Sequence, residues 1–230
     1  MSTTLASLDI LYEDNHLIVV NKRVGDLVQG DQTGDAPLSD LIKSYLKEKY
    51  NKPGEVYLGV VHRLDRPTSG AVIFAKTSKA LARMNQLFVD KKVNKTYWAA
   101  VQSQPEIPSG TLIHWLLKNP KNNKSAVYNT THGEAKRAVL HYHIMQSFDH
   151  YSILSVTLET GRHHQIRAQL AAIGSPIKGD LKYGFDRSNP NGGIHLHARQ
   201  LEFVHPVTKI PISIEAPLPK DPIWDLCHWF

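Results

Sequence analysis

Several features that would restrict the protein's class are missing from its sequence. Cys227 is the only cysteine, so neither an intrachain disulfide nor a cysteine-based metal cage can form, and a reducing cytosol suits such a chain. The first residues lack a basic segment and a long apolar run, and no other stretch approaches the length of a membrane span. We therefore expect a soluble, cytoplasmic protein that does not bind membranes.

The chain also has no internal repeat, no low-complexity tract and no recognisable linker. Its 230 residues, 41% of them hydrophobic, suffice for a full core in one large domain or two small ones. The formal net charge of +6 favours a polyanionic partner, although many basic proteins bind none.

Apolar periodicity predicts both strands and helices. The segments LDILYE and HLIVVNK predict a hairpin with Lys22 at its exit. Helical spacing predicts one helix from Leu38 to Tyr50 and a second helix capped by Ser78. KTYWAAV predicts a further strand, and alternation between Ala138 and Leu158 predicts two more. A largely antiparallel sheet follows from these strands.

A third helix is predicted to open at Gly161 and to stop at Gly174 and Pro176, with Ile166, Leu170 and Ile173 on its buried face. His163 and Arg167 are spaced i and i+4, so on a helix both side chains would point the same way. By itself, that spacing is more often found on an exposed polar flank.

The segment HRLDRPTSG, from His62 to Gly70, places one carboxylate between two arginines. VYLGVV before it and AVIFA after it predict buried strands. Arg66 precedes Pro67, which disfavours the helical region for Arg66, so Asp65 is expected in an extended segment that then turns. The simpler interpretation is a surface ion pair between Asp65 and a neighbouring arginine; the functional interpretation is a rigidly positioned acid.

HRLDRPTSG resembles the signature of the RluA-type pseudouridine synthases, enzymes that convert uridine within RNA to its C-glycoside isomer. Other segments that resemble the family, in the same order, are DILYEDNHLIVVNK, KTYWA, LETGRHHQIRAQL, GSPIKGDLKYG and LHARQLEFVHP. Together the segments cover nearly the whole chain. Two positions depart from the pattern: Gln169 stands where many relatives have histidine, and Arg23 follows Lys22 where proline is common.

The resemblance implies an α+β fold, the pseudouridine synthase fold, with a mixed, mainly antiparallel sheet, flanking helices and a basic RNA-binding cleft. It implies a single catalytic domain over residues 1–230, without the accessory RNA-binding domain that some relatives carry before it. It also implies that no cofactor and no metal is needed. The expected partner is a structured RNA, either transfer RNA or ribosomal RNA, and the expected state is a monomer without a protein partner.

The resemblance assigns catalysis to Asp65, Tyr97 and Arg167. Arg167 is expected to form a salt bridge with the catalytic Asp65, because an adjacent guanidinium favours the ionised carboxylate. Tyr97 is expected to stack on the target base and to handle a proton late in the reaction, although an aromatic residue in a strand has a simpler structural role. Asp65 could attack ribose C1′, add to uracil C6 or deprotonate the sugar to a glycal, and the sequence leaves these routes open.

The resemblance further implies that Arg63 fills the space left in the RNA stack when the target nucleotide is extruded. The segment between Lys118 and Lys136 is polar, basic and rich in turn residues, which predicts an exposed hairpin or loop. Its simpler role is to keep the surface soluble, and its functional role is to contact phosphates. The expected RNA contacts, besides Arg63, are Arg66, Lys118, Lys121, Lys124, Arg162 and His163.

Two other functions stay open at this point. The thirteen histidines, notably the pairs His163–His164 and His195–His197, could indicate a metal enzyme, but no third ligand with convincing spacing is visible. A non-catalytic RNA-binding protein on the same scaffold is the second alternative. The presence of Asp65, Tyr97 and Arg167 argues against it.

Overall fold

The computed structural model describes residues 3–31 and 34–227. In chain order the main elements are β1 (Ile10–Glu13), β2 (Leu17–Lys22), α1 (Leu38–Lys49), β3 (Gly59–Val60), β4 (Ser69–Ala75), α2 (Ser78–Val89), β5 (Val93–Val101), β6 (Ser109–Asn119), β7 (Lys124–Tyr128), β8 (Lys136–Ser147), β9 (Ser152–Leu158), α3 (Gln165–Ala172), β10 (Leu196–Val204) and β11 (Pro211–Glu215). Among the described residues, none of the helices combines the length and the apolar character needed to cross a bilayer.

The described part of the chain divides into two compact units. Unit 1 contains the residues up to Asn94 and those from Ala198 onward, and unit 2 contains the residues from Lys95 to His197. Each unit is built on its own set of antiparallel strand pairs.

In unit 1 the strands lie in the order β1-β2-β4-β10, with β3 paired to β4 and β11 paired to β10. The predicted hairpin of β1 and β2 is confirmed. All seven residues of β4 are buried, which explains why its sequence is a continuous apolar run rather than an alternating one. Gly70 in β4 has a φ of +114°, and a Cβ there would overlap the backbone of Ala198. Glycine therefore permits the close approach of these two segments.

Helix α2 is present where it was predicted, but Ser78 is its first residue rather than its N-cap, so the capping prediction is wrong by one residue. Thr77 is the N-cap, and its side chain accepts a hydrogen bond from the backbone N–H of Ala80. Threonine and serine satisfy the same unpaired N–H groups, so the sequence pattern does not distinguish two adjacent candidates. Ala80 and Met84 of α2 pack into the core of unit 1.

Helix α1 ends one residue before the predicted Tyr50 and contacts β1 through Glu13. The Glu13 carboxylate accepts hydrogen bonds from Tyr45, Lys49, Tyr50 and Lys76 at 2.7 to 3.0 Å. Burial by itself would raise the pKa of Glu13, but the hydrogen bonds from these four side chains outweigh it and lower the pKa to about 2. Glu13, the last residue of β1, therefore connects this strand to α1 and to Lys76, the residue that follows β4.

Because the pKa of Glu13 is lower in the folded protein than its ordinary value near 4.5, its charge stabilises the fold above that value. We expect Glu13→Gln to lower the free energy of unfolding by about 2 kcal/mol at pH 7. The difference from wild type should shrink as the pH falls from about 5 toward 2. Urea unfolding across this pH range measures it. Glu48→Gln, at an exposed position of α1, is the matched control, and an equal pH profile for both variants would contradict the role of Glu13.

In unit 2 the strands lie in the antiparallel order β5-β9-β8-β6-β7. The strands predicted at KTYWAAV and between Ala138 and Leu158 are confirmed as β5, β8 and β9. The basic segment after Lys118 forms the turn between β6 and β7 and continues into β7, which confirms the predicted hairpin. Helix α3 packs on these strands through Ala168, which lies against Leu116.

The predicted start of α3 is wrong, and its predicted end is confirmed. The helix begins at Gln165, after His164 in the left-handed conformation with a φ of +53°. His163 therefore precedes the helix, and the i, i+4 argument that aligned it with Arg167 does not hold. At the other end Gly174 has a φ of +78°, and the N–H of Ser175 bonds the carbonyl of Leu170. This is the hydrogen-bond pattern of a Schellman C-cap.

Candidate active site

The Asp65 loop, which connects β3 to β4, lies in unit 1 and is stabilised by the side chain of Lys22. The Lys22 side chain is 1% exposed, and its Nζ donates to the carbonyls of Arg23, Arg66 and Thr68 at 2.9, 3.1 and 2.7 Å. An ammonium carries three donors, so each carbonyl can receive one. The N–H of Thr68 also bonds the carbonyl of Asp65 at 3.0 Å. The backbone that follows Asp65 is therefore fixed, and its half-buried carboxylate is presented from a rigid turn.

Lys22 also places a buried positive charge near Asp65. Burial lowers the pKa of Lys22 to about 8, while the carboxylates of Asp26 and Asp65 act in the opposite direction. The same attraction gives the Asp65 carboxylate a favourable cationic neighbour within unit 1. The sequence placed Lys22 only at the end of a hairpin, and no local pattern indicated that it supports the loop.

The two ends of the motif are anchored separately. The Nε2 of His62 accepts the backbone N–H of Ile73 in β4 at 3.1 Å, so this imidazole nitrogen carries no proton. Arg66 donates from Nε to the carbonyl of Gly25 at 3.1 Å and pairs with Asp35 at 2.6 Å. Both partners of that ion pair are about half exposed, so it contributes little to stability. Arg63 is exposed.

Arg167 lies on α3 in unit 2, where its guanidinium is buried. Its Nε and Nη2 donate to the two carboxylate oxygens of Asp180 at 2.7 and 2.9 Å. The side chains of this pair are 5% and 1% exposed. The guanidinium also lies 5.1 Å from the ring centroid of Tyr183, within the range of a cation–π contact. Asp180 and Tyr183 therefore fix the orientation of Arg167, although no sequence pattern assigned a role to either residue.

Tyr183 connects this pair to the start of α3. Its hydroxyl accepts the backbone N–H of Ser125 at 2.8 Å and lies 2.9 Å from Nδ1 of His164. Burial raises the pKa of Tyr183, so the phenol keeps its proton. The hydroxyl of Ser125 donates to the carbonyl of His163 at 2.7 Å and must therefore accept from Nδ1 of His163 at 3.0 Å. The two histidine rings stack at 3.7 Å.

Tyr97 lies in β5 opposite Val156 of β9, and its side chain is 7% exposed. Lys95 precedes it by two residues, so both side chains are on the same face of the strand. Burial lowers the pKa of Lys95. These facts place an aromatic ring and a partly desolvated cation side by side in unit 2. The predicted contact of Tyr97 with the target base stays a prediction.

One end of the unit 2 sheet is rich in basic residues. The antiparallel order brings the starts of β5, β7 and β8 and the ends of β6 and β9 to the same side. We call this side the basic end; its cations include Lys95, Lys118, Lys121, Lys124, Lys136, Arg137 and Arg162. A pocket of about 720 Å³ opens there, and its lining includes Lys118, Arg162 and His163. These three predicted RNA contacts are therefore brought together, whereas Lys121 and Lys124 lie outside the pocket lining.

The histidines considered as metal ligands have other partners. His195 is 3% exposed, and its Nδ1 lies 2.9 Å from the side-chain nitrogen of Asn189. His163 is bonded to Ser125, as described above. Across residues 3–31 and 34–227, no cluster of three or more histidine, cysteine, aspartate or glutamate side chains is arranged to hold a metal ion.

The sequence profile of the RNA pseudouridylate synthase family matches residues 16–172, more than half of the chain. The chain belongs to this family. The synthase is 35% identical over 227 residues to the ribosomal large subunit pseudouridine synthase D of Xylella fastidiosa. The alignment covers 93% of this chain and 67% of the relative. The synthase is also 36% identical over 217 residues to an uncharacterized RNA pseudouridine synthase of Bacillus subtilis, covering 93% and 70% of the two chains.

Solved structures show the same fold. The human RNA pseudouridylate synthase domain containing 4 matches with a TM-score of 0.77 at 24% identity, covering 92% of this chain and 89% of that chain. The human RNA pseudouridylate synthase domain containing 1 matches with a TM-score of 0.74, also at 24% identity, covering 99% and 90%. The predicted RluA-type family and the α+β fold with a mainly antiparallel sheet are thus confirmed. The protein is an isomerase that forms pseudouridine in RNA.

The predicted catalytic residues of this synthase are distributed over both units. Asp65 belongs to unit 1, and Tyr97 and Arg167 belong to unit 2. Within unit 1 the fold holds Arg63, Asp65 and Arg66 on one loop. The salt bridge expected between Asp65 and Arg167 stays a prediction.

Proposed function

We propose that this synthase isomerises a specific uridine of large-subunit ribosomal RNA, with Asp65 as the catalytic carboxylate. The observation that carries the proposal is the Asp65 loop, a family-matched segment whose backbone is fixed by the buried Lys22. The RNA class is supported by the relative from Xylella fastidiosa, whose name specifies the large ribosomal subunit. Transfer RNA is the alternative substrate.

The reaction changes the atom of uracil that is bonded to the ribose. The N-glycosidic bond between N1 and ribose C1′ breaks, uracil turns in its site, and C5 bonds to C1′. The C5 proton is then lost to solvent and N1 gains a proton, so the product is an isomer of the substrate and no cofactor is consumed. Asp65 acts in its ionised form, at C1′, at C6 or on the sugar proton. Its rigid loop supplies the orientation that each of these routes requires.

Arg167 and Tyr97 complete the proposed catalytic set. In this proposal Arg167 forms a salt bridge with Asp65 while Asp180 holds the guanidinium in place. Tyr97 stacks on the uracil and accepts or relays the C5 proton. Arg63 fills the space of the extruded nucleotide, which offsets part of the few kcal/mol that unstacking costs.

Contacts with the RNA backbone supply the remaining binding energy. The proposed residues are Arg66, Lys118, Lys121, Lys124, Arg162 and His163. In this proposal the chain acts as a single catalytic domain, as a monomer in the cytoplasm, and it binds a structured RNA without a protein partner.

The experiment that tests the substrate class is incubation of the protein with unmodified transcripts of large-subunit ribosomal RNA, small-subunit ribosomal RNA and transfer RNA. Pseudouridines are then mapped by carbodiimide modification and primer extension. We expect one defined position in the large-subunit transcript. Modification of transfer RNA alone would contradict the proposed substrate, and binding without modification of any transcript would favour a non-catalytic RNA-binding protein.

A further inference from the structure

The pocket at the basic end of unit 2 has features that the proposed chemistry does not use. Besides Lys118, Arg162 and His163, its lining includes Ser125, Lys136 and Gly161. Its volume of about 720 Å³ falls within the ordinary range for small-molecule sites. All these residues belong to unit 2, so the pocket is formed within one compact unit.

The charge of the lining favours an anion. Lys118, Lys136 and Arg162 are exposed and positively charged, and Glu134 is the one carboxylate among the described residues that line the pocket. Lys95 adds a further cation at the Gly161 wall, because its Nζ lies 3.9 Å from the position that a Cβ on Gly161 would occupy. Several cations around one concave space concentrate positive potential there.

Arg162 is positioned for a planar, two-pronged contact. Its backbone N–H donates to Oε1 of Gln165 at 2.9 Å, and its Nε donates to the carbonyl of Arg137 at 3.1 Å. These two bonds orient the guanidinium while its Nη groups carry four further N–H donors. A guanidinium held in this way matches the geometry of two phosphate oxygens.

The rest of the pocket suits a sugar and a base. Leu116 and Leu117 supply apolar surface, and the His163 imidazole is a flat ring fixed by Ser125 and stacked on His164. These two features match the two parts of a nucleotide. The flat base can pack on the apolar surface, and the negatively charged phosphate can bind the cations.

We propose that this pocket binds one nucleotide of the substrate RNA, with its phosphate on Arg162 and Lys136 and its base or ribose against Leu117 and His163. The inference rests on the proposed function, because it assumes that the protein binds RNA in order to modify it. It goes further, because it predicts that fixed side chains of this pocket bind one particular phosphate of the RNA, in addition to the general attraction between the basic surface and the RNA backbone.

The test measures coupling between single phosphates and single side chains. The probe is a synthetic RNA stem-loop that carries the uridine converted by wild type, with one phosphate at a time replaced by a neutral methylphosphonate. We expect one position at which the replacement weakens wild-type binding about tenfold. Arg162→Lys should weaken binding of the native RNA, because the two-pronged contact is lost, and should reduce the sensitivity at that position. Lys136→Ala should do the same.

Lys79→Ala is the matched control, since Lys79 is an exposed lysine of α2 in unit 1, and it should keep the full sensitivity. Gly161→Leu tests the shape of the pocket without changing its charge. The new Cβ has ordinary van der Waals clearance, so the leucine side chain can occupy the cavity. We expect weaker RNA binding with an unchanged dependence on salt. Thermal melting of each variant verifies that it is folded.

The outcomes separate the two proposals. If wild type converts no RNA, the proposed function fails and the inference fails with it. If wild type converts its RNA but no phosphate position couples to Arg162 or Lys136, the inference alone is overturned. Wild-type binding by Gly161→Leu would likewise show that the pocket is not occupied.

Discussion

Replacing Asp65 with asparagine is expected to reduce pseudouridine formation by at least about 10⁴-fold, with RNA affinity within about threefold of wild type. The change removes an ionised carboxylate but keeps the shape of the side chain. The loop itself should persist. Lys22 donates to the backbone carbonyls of Arg66 and Thr68, and the N–H of Gly25 donates to the carbonyl of Arg66, so none of these hydrogen bonds involves the Asp65 side chain. Single-turnover kinetics and filter binding on the same RNA measure the two effects separately.

The matched control is Asp40→Asn, the same chemical change at an exposed carboxylate on α1. It should leave turnover and binding unchanged. If Asp65→Asn lost binding and turnover together, Asp65 would be a residue of folding or docking rather than of chemistry. Turnover above a tenth of the wild-type rate would remove it from the mechanism.

The second large effect is expected at the buried pair of Arg167 and Asp180. Arg167→Met should lower the free energy of unfolding by about 3 to 5 kcal/mol, because it leaves the Asp180 carboxylate buried without its bidentate partner. Asp180→Leu should have a similar effect for the converse reason. The double variant should be more stable than the sum of the two losses predicts, since neither charge is then left alone.

Activity should separate from stability in this series. Arg167→Met should be inactive, and the double variant should recover stability but not activity, because the guanidinium proposed to face Asp65 is still missing. Urea unfolding followed by tryptophan fluorescence gives the stabilities, and the turnover assay gives the activities. Additive stability losses would contradict the pairing of Arg167 with Asp180, and an active Arg167→Met enzyme would refute the catalytic assignment of Arg167.

The sequence predicted those strands and helices whose signal is local. Segments such as AVIFA are bounded by glycine or by turn residues, and α2 and the end of α3 have recognisable caps. Strand β6 was missed although its sequence contains apolar residues, because Leu112 and Ile113, and again Leu116 and Leu117, are adjacent and so do not alternate with polar residues. Its pairing with β7 and β8 depends on partners that are distant along the chain.

The start of α3 was missed for a different reason. His164 adopts a left-handed conformation, which is uncommon outside glycine. The side-chain oxygen of Gln165 accepts hydrogen bonds from the hydroxyl of Thr160 and the backbone N–H of Arg162 in the turn that precedes the helix. Serine, threonine, aspartate and asparagine, the usual N-cap residues, are absent from the 161–164 segment. Side-chain contacts of this kind are visible only in three dimensions.

For the site, the motif around Asp65 identified the family, but the residues that support it were not predictable from spacing. Lys22 and Thr68 are 46 residues apart along the chain, and Arg167 and Asp180 are 13 residues apart. Only the folded structure shows that one lysine holds the turn after Asp65 and that one aspartate holds Arg167. A buried charge needs such a partner, but the sequence does not specify which one it is.

Tritium release from RNA labelled at uridine C5 tests the central claim most directly, because forming the C5–C1′ bond displaces that hydrogen. Wild type should release tritium from unmodified large-subunit ribosomal RNA up to about one equivalent per target site, and Asp65→Asn should release none above background. Absence of release by folded wild type that binds this RNA, or equal release by wild type and Asp65→Asn, would contradict the claim that Asp65 catalyses pseudouridine formation.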